Sequence, residues 1–156
     1  MQKWMMSVVA GGLLSCVATA GFAAEPENKA VKARQGFFQA VVFNAGPLFG
    51  MLKGNVPYDA KRAKVAADNL KLLGMMSNGA MWSKNTDNVK LKGQTRALPE
   101  IWDDRATFNA RWQDFSKATA ELAAVAGSGK DAMVAKLKVM SASCGACHKA
   151  FRAKEF

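Results

Sequence analysis

The chain has 156 residues, 50% of them hydrophobic and 22% charged, with 13 glycines, four prolines and a formal net charge of +10. Those proportions exclude a disordered or collagen-like chain and a large multidomain assembly, and they fit one domain long enough to bury a core. The basic excess alone is compatible with nucleic acid, an anionic membrane or an acidic protein partner, and three cysteines with one histidine are too few for a disulfide framework or a two-zinc module, so their positions decide.

The first 24 residues hold a single charged side chain, Lys3, followed by an apolar run over residues 5–17 and small residues over 18–24. This is the pattern of a secretory signal peptide cut after Ala23, because the apolar core is shorter than the roughly 20 residues that a membrane span needs. Two rivals are an uncleaved anchor helix and a lipoprotein cut before Cys16, since Leu13-Leu14-Ser15-Cys16 loosely resembles a lipobox but carries the bulky Leu14. Cleavage after Ala23 leaves residues 24–156 as one domain without a membrane span, exported to an oxidising compartment with only Cys144 and Cys147 as thiols.

Beyond the leader, Ala, Lys, Leu and Met are frequent and no alternating β-branched run occurs, which predicts helices and no strands. The first helix spans 26–52, with Pro26 at its first position and Glu27 at the positive end of its dipole. Gly50, Gly54, Asn55 and Pro57 end it. Asp59 caps a second helix over 60–76, in which Val65, Asn69, Leu72 and Met76 share one face. Residues 77–98, rich in Lys, Asn and Gly, make a connection that is long for a compact domain and is either functional or mobile.

A third helix opens at Pro99-Glu100 with Asp103 and Asp104 in its first turns. Its Ile101, Phe108, Phe115 and Leu122 recur every seven residues, with Trp112 filling the seam. Gly127 stops it, and Ser128-Gly129-Lys130-Asp131 has the spacing of a capping box with Asp in place of Glu. The last helix carries Met133, Leu137, Met140, Cys144, Cys147 and Phe151 on one seam. Four helices joined mainly by short loops predict an all-α fold, an antiparallel up-down-up-down four-helix bundle.

The chemistry is concentrated in Cys144-Gly145-Ala146-Cys147-His148, a C-x-x-C-H motif. Two thiols three residues apart on a helix can add across the two vinyl groups of haem, and the adjacent imidazole then reaches the iron. The motif predicts one haem c per chain, covalently attached through Cys144 and Cys147, with His148 as axial ligand. A zinc site would need a second Cys/His pair, and a thioredoxin-like redox pair a βαβ context; neither is present. Only eight residues follow His148, none of them Met or His. Alternating helix directions bring the end of the last helix level with residues 31–42, 75–82 and 98–105. Met51 lies about 20 Å beyond Phe38 at a rise of ~1.5 Å per residue, too far to reach the iron. Met75, Met76 and Met81 stay as sulfur candidates, against a packing role for the same residues.

The late C-x-x-C-H followed by Arg152, the segment Ala30-Val31-Lys32-Ala33-Arg34-Gln35, the turn Pro57-Tyr58-Asp59-Ala60 and the entry Pro99-Glu100-Ile101-Trp102 together resemble the cytochrome c′ family over nearly all of the exported chain. The resemblance implies a periplasmic four-helix bundle, usually a homodimer, with a five-coordinate high-spin haem that binds NO and CO on an apolar distal face. It implies haem contacts from Arg34 and Gln35, an apolar distal cover from Phe38 and a basic proximal residue in Arg152, which lies four residues after His148 and so shares its helix face. Arg34 carries the charge to meet a haem propionate. The sequence departs from the family where the second helix ends, an aromatic commonly found there being replaced in the Asn78-Gly79-Ala80-Met81-Trp82 stretch, and in the longer loop that follows.

These readings predict a periplasmic haem protein for NO capture and tolerance, with electron transfer as an additional role. The alternative is a low-spin electron carrier with Met76 or Met81 as sixth ligand and a basic loop that docks a redox protein partner. A peroxidase-like enzyme is disfavoured because Arg34 is the only nearby distal candidate for acid-base work. Phe37, Phe38, Val41, Val42, Phe43, Leu48, Phe49, Met51 and Leu52 surround more of the first helix than one core stripe requires, so a homodimer through that helix is expected, against a monomer with a wide core face. Nucleic acid is not needed to explain the basic excess once an anionic cofactor is present.

Overall fold

The computed structural model describes residues 26–156, so the expected leader and its cleavage site lie outside the described residues. The helices are α1 (Pro26–Lys53), α2 (Ala60–Met75), α3 (Glu100–Asp103), α4 (Arg105–Val125) and α5 (Lys130–Phe151), with a 3₁₀ turn at Gly79–Met81. The long helices α1, α2, α4 and α5 form a ring in which each packs on two neighbours, and the α1–α5 contact is the sparsest of the four. The fold is the expected all-α four-helix bundle.

Local chemistry sets the boundaries. Gly54, at φ 77°, ends α1: its N–H donates to the Met51 carbonyl at 3.3 Å and the Asn55 N–H to the Gly50 carbonyl at 2.9 Å. That is a Schellman stop, which needs the left-handed conformation glycine adopts without steric cost. The Asp59 carboxylate accepts from the Arg62 N–H at 2.8 Å and starts α2, as expected. Tyr58 then ties the two short connections together, because its hydroxyl donates to the Ala126 carbonyl at 2.9 Å and accepts the Gly129 N–H at 3.0 Å.

Three details differ from the sequence expectation. The third helix is broken after one turn: Asp104 leaves helical geometry at φ −120°, ψ 65°, and its carboxylate accepts the Thr107 N–H at 3.1 Å, so it caps a new helix. The Ser128 capping box does not form; Gly129 is the N-cap of α5 at φ 139°, with no side-chain cap bond. The face shared by Val65, Asn69, Leu72 and Met76 turns outward, with Val65 54% and Leu72 66% exposed. The α2 core face is instead Ala63, Ala66, Ala67, Leu70 and Gly74. Small side chains there let α2 approach α4, whose Phe108, Phe115 and Leu122 are buried on the expected seven-residue seam. Met133, Leu137, Met140 and Phe151 of α5 are buried on theirs, and Phe37, Val41, Leu48 and Met51 complete the core from α1.

Candidate haem site

Where α1 and α5 diverge, a cavity of about 870 Å³ opens between α1, α4 and α5. Its size lies within the range of small-molecule and cofactor sites. Apart from the three candidate methionines, the side chains that the sequence pointed to for the haem line it: Cys144, Cys147 and His148 from α5, Arg152 just beyond, and Arg34, Gln35 and Phe38 from α1. The Phe38 ring sits among aromatic neighbours, 5.1 Å from Phe37 and 6.5 Å from both Trp82 and Trp112. Trp82 is buried and supplies the aromatic of the 78–82 stretch, so that departure from the family pattern does not leave the cavity wall bare.

No methionine is among the described residues that line the cavity. Met75 and Met76 lie in a separate outer groove between α1 and α2, and Met81 is buried with its carbonyl accepting from Arg34 Nη1 at 3.3 Å. Of residues 98–105, only Ile101 reaches the cavity.

The long connection is built rather than loose, and Arg34 organises it. Nη1 donates to Thr86 Oγ1 at 2.8 Å as well as to the Met81 carbonyl, while Nη2 donates to Thr95 Oγ1 at 2.7 Å and to the Thr86 carbonyl. The guanidinium also stands over the Trp82 ring, 5.1 Å from its centroid. Burial pulls its pKa down to about 10, partly opposed by the Asp87 charge, so it stays cationic at neutral pH. Both Nη atoms are therefore engaged by the loop, whereas the sequence expectation aimed them at a propionate. Gln35 helps, donating to the Gln94 carbonyl at 2.7 Å. Trp102 of α3 fixes the same wall through its indole N–H, which donates to the Trp82 carbonyl at 3.0 Å.

Burial pushes the Cys144 and Cys147 thiols up, Cys147 also through its neighbour Cys144, so both stay protonated at neutral pH. His148 is pulled down by desolvation and by the Arg152 and Arg96 charges, which favours the neutral imidazole that can act as a metal ligand. Sequence reasoning missed Arg96, Arg111, Trp112 and Phe156 as cavity residues. Arg111 and Trp112 follow Phe108 by three and four residues on α4, a helical spacing that could have found them. Nothing in the pattern marks Arg96 or Phe156.

These walls fit a haem. Aromatic and aliphatic side chains suit the macrocycle, while Arg111 and Arg152 supply cations for its two carboxylates. The buried Trp82 Nε1 and Arg111 Nε donors have no partner of their own and can take part in such contacts.

A four-helix bundle whose last helix brings C-x-x-C-H into such a cavity defines the class of bundle-type haem c proteins. The family model described as Cytochrome C′ matches residues 29–152, and the chain belongs to that family, for which haem c is the implied cofactor. It is 35% identical over 150 residues to a cytochrome c′ of Cereibacter sphaeroides, covering 96% of this chain and 99% of that one. A solved cytochrome c′ from Rhodobacter spheriodes superposes with a TM-score of 0.80 at 36% identity, covering 85% of this chain and all of that one. The nitric oxide complex of a leucine-to-alanine mutant of the Alcaligenes xylosoxidans protein matches with a TM-score of 0.72 at 34% identity, over 85% of this chain and 98% of that one.

Proposed function

We propose that the chain is a periplasmic haem c protein that captures NO, and also CO, at a five-coordinate iron, rather than an enzyme or a methionine-ligated electron carrier. The carrying observation is the composition of the cavity: Cys144, Cys147 and His148 share it with Phe38, and no methionine lines it among the described residues. Haem iron with a single protein ligand supplies an open coordination position for a diatomic gas. Cys144 and Cys147 tether one group per chain covalently, and His148 donates its imidazole lone pair from the last turns of α5. Arg152 does not share a helix face with His148 as the sequence spacing suggested, because α5 ends at Phe151, but from its extended position it still adds positive charge beside that imidazole.

Phe38 offers a bound gas no hydrogen-bond donor, which favours NO and CO over dioxygen. Arg111 and Arg152 supply cations for the carboxylates of the group, and Arg34 with Gln35 contributes by holding the loop wall. The nitric oxide complex named above supports this reading, as does a carbon monoxide-bound variant of the same Alcaligenes protein, 34% identical to this chain.

Export follows from a signal peptide cut after Ala23, leaving residues 24–156. A homodimer forms through α1, joined by the outward face of α2: Val42 and Phe43 are 70% and 80% exposed on α1, and the exposed Leu72 and Met75 of α2 border an outer groove with Ala40 and Asn44 of α1. A similar solved cytochrome c′, 25% identical, is described as having ligand-controlled dimer dissociation. Among the described residues no helix is long and apolar enough to cross a membrane. Electron exchange with a redox protein through the basic loop is a secondary role.

The test is the optical spectrum of the purified ferrous protein with and without NO. A high-spin five-coordinate spectrum that changes on NO addition is expected. A low-spin six-coordinate spectrum before any gas is added would overturn the open site, and a mature chain starting at Cys16 would overturn the signal-peptide assignment.

A further inference from the structure

His148 stands three residues before the last residue of α5, in the turn where a helix has carbonyls without intrahelical partners and frays most readily. Here the end is held from outside. After Phe151 the chain becomes extended, with Arg152 at φ −127°, ψ 122°, and it pairs with the segment that precedes α3. The Leu98 N–H donates to the Phe151 carbonyl at 3.1 Å and the Ala153 N–H to the Arg96 carbonyl at 2.8 Å.

Two backbone bonds at a surface edge are a weak fastening, and the Arg96 side chain reinforces them. Its Nε donates to the Ala153 carbonyl at 2.7 Å and its Nη2 to the Lys154 carbonyl. Its guanidinium carbon lies over the Phe156 ring, 5.9 Å from the centroid. Phe156 is 74% exposed overall, yet it lines the cavity together with Arg96, His148 and Arg152.

We propose that Arg96 is a positioning residue for the His148 side of the haem site: it latches residues 153–156 onto residues 96–98, so that Phe156 walls the cavity and the turn carrying His148 is held from its C-terminal side. A planar guanidinium suits this task because it presents two donors in a fixed fork together with a flat face for the ring. A lysine carries the same charge but has one nitrogen and no flat face. The consequence for His148 rests on the haem reading given above; the latch itself does not.

The experiment compares wild-type holoprotein with R96A, R96K and F156A, with helix content checked by circular dichroism. Amide hydrogen exchange is read at Leu98 and Ala153, and the iron–histidine stretching band is read by resonance Raman of the ferrous protein. R96A and R96K are both expected to speed exchange at the two amides at least about tenfold, the scale of a lost charge-assisted bond, and to broaden or shift the iron–histidine band. F156A is expected to leave exchange within about threefold of wild type, because the hydrogen bonds of Arg96 persist.

Unchanged exchange in R96A would overturn the latch. Wild-type exchange in R96K would show that charge alone suffices and would overturn the fork. Faster exchange with an unmoved band would overturn the positioning of His148. Failure of the haem reading would show separately, as a wild-type protein without a haem c spectrum.

Discussion

Arg34 grips Thr86 at both ends of the residue, Nη1 donating to its hydroxyl at 2.8 Å and Nη2 to its carbonyl. Arg34 is 3% exposed and Thr86 fully buried, so the acceptors in this clamp have no access to water. R34M keeps the length and apolar stem of the side chain but strands those acceptors, and it should destabilise the protein by about 1–3 kcal/mol. Urea unfolding measures the loss. A change near zero would mean that the loop holds itself. R34K should fall between the two, since one ammonium cannot serve Met81, Thr86 and Thr95 together.

At Gly74 the backbone of α2 comes close to α4. A methyl placed there would stand 2.5 Å from Thr119 Oγ1 and 3.2 Å from the Ser116 Cα, and the second of these is backbone. G74A should therefore force the helices apart and cost about 1–3 kcal/mol despite its better helix propensity. Thermal unfolding checks this, and a melting temperature at or above wild type would contradict the close packing.

Asp104 makes the break between α3 and α4 sensitive to acid. Its bonds from Thr107 hold its carboxyl below the ordinary value of 3.8. A carboxylate lowered on folding contributes stability that is present above its unfolded pKa and lost as pH falls through the folded one. D104N keeps the capping geometry without the charge, so wild type should be the more stable above roughly pH 5, with the two curves converging as the pH drops below the folded pKa. A difference that is constant with pH would exclude the carboxylate as its source.

The bundle and the C-x-x-C-H end of the cavity were legible because they rest on local pattern, whereas Arg34, Gln35 and Phe38 were singled out only through the family resemblance. The seams of α4 and α5 are periodic, and C-x-x-C-H announces its chemistry within five residues. The α2 face misled because Val65, Leu72 and Met76 are the larger apolar residues, whereas close packing on α4 selects Ala63, Ala66, Ala67 and Gly74. Long-range partnerships left no trace in sequence. Arg34 meets Thr95 across 61 positions and Arg96 meets Ala153 across 57, so neither the clamp nor the latch has a period to betray it.

The methionines make a direct test of the open site. M75A, M76A and M81A should all leave the ferrous absorption spectrum unchanged, because none of the three lines the cavity. M81A alone should cost about 2–5 kcal/mol, since Met81 is 8% exposed and truncation leaves a void. Loss of a sulfur-to-iron band in any of them would restore the electron-carrier reading.

Leu72 separates dimerisation from the cavity, because it borders the outer groove with Asn44, Asn69 and Met76 and does not line the haem site. L72E should weaken self-association at least about tenfold, as expected for a charge placed in an apolar interface. Sedimentation at micromolar concentration reads the effect, and wild-type association in this variant would move the interface elsewhere.

The Tyr58 hydroxyl, bonded to both Ala126 and Gly129, ties the end of the bundle remote from the cavity through neutral backbone groups. The cavity end is closed by guanidinium forks from Arg34 and Arg96. The molecule thus has a sealed end and a working end. Denaturants that compete for guanidinium contacts will open the cavity end first, and transient breathing of the protein will begin there, with the remote end still shut.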